Sequence, residues 1–347
     1  MITPNRRRSE RRLGRAAAGV LVLTGGLAVA CGQSSGRSAS VAGLRLVADV
    51  PLPGSTARLD YQSLDEAHHR LYVAHLGDGT VAVVDTRTRA VVGNVAGLPG
   101  VHGVLAVPEL GRVYASVTER NEVAVIDAQT LRVTATTAAG DYPDGLSYDP
   151  VDHRVFVSDE HGGTDTIIET DTNRRVGTID LGGDVGNTQY DSASHRVVAA
   201  VQGRGQIVVI DPARNSVVDR YETPGCDGPH GVSLDARSEV AYVACEGNAR
   251  LLALDLRSGR TTATQTVGDT PDVLAFDAAL HQLYVAAESG PLVVFHADGM
   301  TLRKIAEGFA GPNAHTVAVD PATHQVFLPL ADENGRPVLR VMAPGGT

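Results

Sequence analysis

Residues 143–160, PDGLSYDPVDHRVFVSDE, decide the fold. They read as two short strands. GLSYD is apolar-rich and runs into a turn made of Asp149, Pro150 and Asp152, and RVFVS returns antiparallel. Related stretches recur along the chain: PHGVSLDARSEVAYVACE from Pro229, PDVLAFDAALHQLYVAAE from Pro271 and AHTVAVDPATHQVFLPLA from Ala314.

Aligned on the second strand, the units place Tyr72, Tyr114, Phe156, Val198, Tyr242, Tyr284 and Phe327 in register, at intervals of 42, 42, 42, 44, 42 and 43 residues. Third strands follow as GTVAVVD (79–85), NEVAVID (121–127), DTIIETD (165–171), GQIVVID (205–211), ARLLALD (249–255), PLVVFHA (291–297) and RPVLRVM (336–342). Fourth strands come after short turns in the first six units, from RAVVGNV to TLRKIAE. A period near forty with four strands per unit predicts an all-β, seven-bladed β-propeller. The seventh unit shows no fourth strand of its own. The segment LRLVADVPLP (44–53) has that character and precedes the first unit, so it is expected to complete the last blade and close the ring. Closure removes exposed strand edges. Counts of six or eight blades each leave a unit unexplained, and no second domain is needed.

The pattern Pro-x-Gly-x-x-x-Asp, a turn, (Leu/Val)-(Tyr/Phe)-Val-(Ala/Ser) and then V-x-V-(V/I)-D resembles the YVTN-type repeat of YncE-like propellers over residues 44–345. The resemblance implies the fold and a choice of roles: surface-associated binding proteins, lactonases, lyases or cofactor-holding domains. The Thr-Asn of that repeat is replaced here by Ala-His, Ser-Asp, Ala-Cys or Ala-Ala, so no function carries over at those positions.

The N-terminus is a different kind of sequence. Arg6, Arg7, Arg8, Arg11, Arg12 and Arg15 form a basic segment, residues 16–30 a short apolar one, and Leu27-Ala28-Val29-Ala30-Cys31 resembles a bacterial lipobox. Residues 1–30 are expected to be a signal peptide, residues 31–43 a lipidated Cys31 with a flexible tether, and residues 44–347 the propeller. The protein is then exported and held on the outer face of a bacterial membrane by its lipid anchor alone, or secreted. General secretion and the twin-arginine route, for which Arg11-Arg12 is the cue, both stay open. Removal of residues 1–30 takes six arginines and one glutamate from totals of 30 basic and 40 acidic residues, leaving 24 against 39, a formal charge of −15. Such a surface excludes tight nucleic-acid binding, which needs a basic patch.

The aspartates that end third strands (Asp85, Asp127, Asp171, Asp211, Asp255) and those in the first turn (Asp65, Asp149, Asp191, Asp235, Asp277, Asp320) recur from blade to blade, as turn-capping acceptors do. The start of each first strand differs. In register stand Asp60, His102, Asp144, Gly186, His230, Asp272 and His315. First strands are innermost in a propeller, so these residues are expected to ring one mouth of the central channel. Antiparallel pairing adds the second-strand ends: His75, Asp159, Glu160, His161, Glu246 and Glu288.

Such a ring can ligate a divalent metal, take a small cationic ligand, or merely solvate the channel mouth. No Gly-x-Ser-x-Gly, HExxH or phosphate loop accompanies it, so nothing supports covalent catalysis. Cys226 and Cys245 reach the same mouth of blade five, and in an exported protein a disulfide is the expectation. The function expected is a binding or interaction scaffold, monomeric, meeting a cell-envelope protein or a small cationic ligand, with no certain cofactor beyond a possible divalent metal in the mouth. The competing readings are a metal-dependent hydrolase or lactonase using the same ring, and a purely structural envelope protein acting through its rim.

Overall fold

A computed structural model describes residues 40–345. Residues 1–39, with the expected signal peptide, Cys31 and most of the tether, lie outside the described residues.

The chain forms seven antiparallel sheets arranged as expected. Blade three is representative: Pro143–Asp149, Arg154–Asp159, Thr164–Glu169 and Arg174–Asp180 pair in that order. Alternation builds the core, because every second side chain of a strand faces the next blade. The result is a ring of seven apolar clusters, one at each blade-to-blade interface, rather than a single centre. Tyr72, Tyr114, Phe156, Tyr242, Tyr284 and Phe327 are all fully buried in it.

The ring closes through residues Leu44–Pro51, which pair with the third strand of blade seven from Leu44↔Pro344 to Pro51↔Val338. Across this pair Arg340 grips Asp49 with two hydrogen bonds, 2.9 and 2.7 Å, and donates another of 2.8 Å to the Ala310 carbonyl. One boundary differs from expectation. Ser40–Val41, placed in the tether by sequence, adds a fifth strand to the outer edge of blade six, opposite Phe309 and Gly308. Val41 is buried there among blade-six and blade-seven residues, so apolar burial extends the ordered chain upstream.

The recurrent aspartates behave as turn acceptors. Asp149 takes the amides of Val151 and Asp152, Asp320 those of Ala322 and Thr323, and Asp127 those of Gln129 and Thr130. Asp171 is an exception. The pairing Phe156↔Ile167 ends that third strand at Glu169, so Glu169, not Asp171, holds the register of Asp127 and Asp211.

A second device joins neighbouring blades. Arg70, Arg112 and Arg154, each opening a second strand, donate to the carbonyls of Ala128, Thr170 and Pro212 in the next blade.

Candidate functional site

Each first strand of blades two to six carries a register shift against its second strand, as between Pro143 and Leu146 or between Pro229 and Val232. A bulge re-aims side chains and ends regular pairing. His102, Asp144, Gly186, His230 and Asp272 sit inside these bulges, which is why they turn from the sheet face to the channel. The following position is tightly pressed. A Cβ on Gly103 or Gly231 would come within 2.1 or 1.8 Å of the Asp144 or Asp272 carbonyl of the next blade.

Eight of the twelve acidic and histidine residues placed at the mouth by sequence line one cavity of about 560 Å³: Asp60, His102, Asp144, Glu160, His230, Glu246, Asp272 and Glu288. His315 stands immediately behind Asp60 and Asp272. The floor (Asp60, Asp144, His230, Asp272, His315) is buried, and Glu160, Glu246 and Glu288 form a half-buried wall. Three second-strand ends fall elsewhere. His75 is buried beneath the Gly54 loop, 3.6 Å from Asp78. Asp159 accepts from the Gly140 amide and the Thr164 and Thr166 hydroxyls inside blade three. His161 is exposed and stacks on Tyr142 with ring centres 4.1 Å apart.

Arg58, Tyr61, Tyr142 and Glu119 escaped sequence reasoning. Arg58 lies just upstream of the ring position of blade one and reaches Asp60 at 3.3 Å and Glu288 at 2.7 Å. Among the described residues it is the one basic side chain other than histidine on the cavity wall, against seven carboxylates when exposed Glu119 is included. Tyr61 occupies the place that Gly103, Gly145 and Gly231 hold in other blades, and its bulk there was the available signal. Its hydroxyl donates to Asp144 at 3.1 Å and accepts from Asn187 at 2.9 Å, so the ring crosses the channel. Tyr61 also lines a second chamber of about 290 Å³ among the first strands, and it divides the channel in two. Tyr142 borders His102 at 3.2 Å with a backbone φ of 60°. Blades two and five carry Gly100 and Gly228 at that position with the same positive φ, the choice expected where a bulky side chain is strained.

The electrostatics follow from burial. Burial drives the Asp144 carboxyl up to about 7, His102 opposing and Asp60 adding to the shift. Burial pulls His230 down, but contact with Asp272 outweighs it and raises the imidazole to about 10. Asp272 is held below its ordinary value because His230 and His315 overcome its burial. Burial raises Glu246.

Hydrogen bonding on the floor is incomplete. His230 Nδ1 and Asp272 Oδ1 lie 3.1 Å apart as an ion pair, at an angle outside hydrogen-bond geometry. His315 Nε2 faces Asp60 Oδ1 at 3.6 Å and Asp272 Oδ2 at 4.0 Å. All three of these atoms, His230 Nδ1, Asp272 Oδ1 and His315 Nε2, are buried with no hydrogen-bond partner among the described residues. Close by, Cys226 and Cys245 form a disulfide that ties the segment entering the first strand of blade five to the end of its second.

No family model matches the chain, and no curated protein does. Among solved structures it is similar to Kuenenia stuttgartiensis hydrazine synthase, with 17% identity, a TM-score of 0.72, and coverage of 83% of this chain and 96% of that one. It is similar also to the WD40 repeats of RRP9, at 12% identity and TM-score 0.73 over 88% of this chain and 98% of that one. U3-55K gives 11% and 0.72 over 87% and 98%. At these identities the likeness establishes the propeller fold and nothing finer.

Proposed function

We propose that the protein is an extracytoplasmic propeller scaffold whose channel mouth captures a small amine-bearing ligand. The observation that carries this reading is the cavity wall itself: in a pocket of about 560 Å³, seven carboxylates face one guanidinium and the cationic His230 imidazole among the described residues, an excess of negative charge that survives partial protonation of Asp144. Low-dielectric walls focus such a field and favour a cation. Glu119, Glu160, Glu246 and Glu288 would meet the ammonium, and the Tyr142 ring offers a π face beside them. Anchoring at Cys31 remains part of the proposal, supported by the residue pattern of positions 1–31 and by the disulfide, which suits an oxidising compartment.

The strained backbone of Tyr142 allows a clean test. Tyr142→Gly removes the ring while relieving the positive φ, so it is expected to keep or raise the melting temperature. Calorimetric binding of a primary-amine panel should fall roughly tenfold, in line with the loss of about 1–2 kcal/mol of cation–π attraction. Amine affinity unchanged in Tyr142→Gly and in Glu246→Gln would sink the reading. For the anchor, Cys31→Ser should move the protein from the membrane to the soluble fraction.

One observation favours a second reading, a metal-dependent hydrolase or lactonase. A carboxyl raised to about 7, as in Asp144, is poised for proton transfer at neutral pH. A lactone and ester panel assayed with Asp144→Asn as control separates it from binding alone.

A further inference from the structure

We infer that the floor of the mouth is a divalent-metal site in which Asp60, Asp272 and His315 are the ligands, binding an ion of the zinc class. Their donor atoms lie within 4.8 Å of one another, and all three residues are buried. The spacing is informative. His315 Nε2 stands 3.6 Å from Asp60 Oδ1 and 4.0 Å from Asp272 Oδ2, too far for hydrogen bonds. Two ligands bound tetrahedrally at about 2.1 Å from one ion lie about 3.4 Å apart, so the His315 distances need to close by about 0.2 and 0.6 Å, and the two carboxylates, within 4.8 Å of each other, by no more than about 1.4 Å.

The second observation is what holds the donors. His315 Nδ1 is engaged by the Asn313 carbonyl at 3.0 Å, which leaves Nε2 aimed at the carboxylates and without a hydrogen-bond partner. The other oxygen of Asp60, Oδ2, is contacted by Arg58 at 3.3 Å, and the other oxygen of Asp272, Oδ1, by His230 at 3.1 Å. Each ligand therefore has one donor pointing inward; the remaining polar atoms of His315 and Asp60 are hydrogen-bonded by a neighbour, and that of Asp272 is paired with His230 by charge alone. Metal ligands are ordinarily oriented by such outer partners, and a solvated channel mouth requires no such division of labour.

Two carboxylates and one imidazole suit zinc or manganese better than the all-oxygen cages of calcium and magnesium. Asp60 and Asp272 also line the cavity, so the free coordination positions open toward it. Such openness is the mark of a site that binds or activates a ligand rather than one that staples the fold. The floor would take the metal and the glutamate wall the amine, and the two occupancies stand independently.

The test uses untagged full-length protein, stripped with chelator, dialysed and titrated with Zn²⁺ against a chromophoric competitor. One Zn²⁺ per chain is expected, together with a rise in melting temperature. His315→Ala and the near-isosteric Asp272→Asn should each weaken binding by about 100-fold or more and abolish that rise. Asp60→Asn serves if His315→Ala does not fold. His281 and His296 form a second imidazole pair, with centroids 6.0 Å apart, so His281→Ala is the control and should change nothing. The inference is overturned by the absence of bound Zn²⁺, by unaltered stoichiometry in Asp272→Asn, or by loss in His281→Ala, which marks adventitious binding. Amine binding by metal-free protein is measured separately, so failure of the metal site leaves the amine-capture reading intact.

Discussion

The two faces of the propeller use aspartate in opposite ways. On the face away from the mouth, Asp149, Asp320 and their equivalents accept turn amides. At the mouth, His315 Nε2 is buried without a hydrogen-bond partner among the described residues, and His230 Nδ1 and Asp272 Oδ1 meet only as an ion pair outside hydrogen-bond geometry. Leaving such groups unmatched costs free energy, about 1–3 kcal/mol each. Turn aspartates such as Asp320 recover that cost within their own blade through both oxygens, whereas Asp149 does so through Oδ1 alone. The mouth does not, and the difference separates side chains that build the ring from side chains the ring is built to present.

The contrast can be broken from either side. The largest effect belongs to closure. Arg340→Ala removes three hydrogen bonds of a buried guanidinium, two to Asp49 and one to the Ala310 carbonyl, and is expected to cost about 3–4 kcal/mol in denaturant unfolding, yet at temperatures below its melting point amine affinity should be unchanged. Replacing Cys226 and Cys245 together by Ser reopens a loop of 19 residues. Stability should fall by about 3 kcal/mol on the chain-entropy view. Here affinity should fall too, because the disulfide braces the segment leading to His230. If it does not, the loop bearing His230 is held by other contacts. Asp149→Ala, on the turn face, should cost about 1 kcal/mol and leave binding untouched; a change in affinity would blur the distinction between the faces.

The smallest effect is a pH dependence. Burial holds the Asp144 carboxyl neutral to about 7, while the unfolded chain ionises near 4. Its folded pKa is thus the higher one. The stability it contributes is complete below about pH 4 and is lost as pH rises to about 7. Asp144→Asn should therefore raise the melting temperature at pH 8 relative to wild type and change it little at pH 4. An equal shift at both pH values would show that the carboxyl is not the titrating group.

Much of this molecule was legible in the sequence because a propeller is a local repeat. Register follows from residues 42 to 44 apart, and first-strand starts must converge on one mouth once the ring closes. That logic placed Asp60, His102, Asp144, His230, Asp272 and His315 together. It misplaced His75, Asp159 and His161 because strand ends are two-sided, and a single turn of the chain decides whether a side chain enters the channel, the blade or solvent. Tyr61 was readable in principle, as the bulky residue in a position otherwise glycine in three blades.

The sequence by itself determined seven blades, their closure by residues within 44–53, the expectation of a Cys226–Cys245 pairing and the identity of the ring. Only the tertiary structure decided what the ring can do. Arg58 meets Glu288 across 230 residues, and Tyr61 meets Asn187 across 126. Periodicity is set by neighbours along the chain, but the protonation and freedom of a buried donor are set by whatever packs against it. In a closed ring, the residues that pack there come from every blade at once.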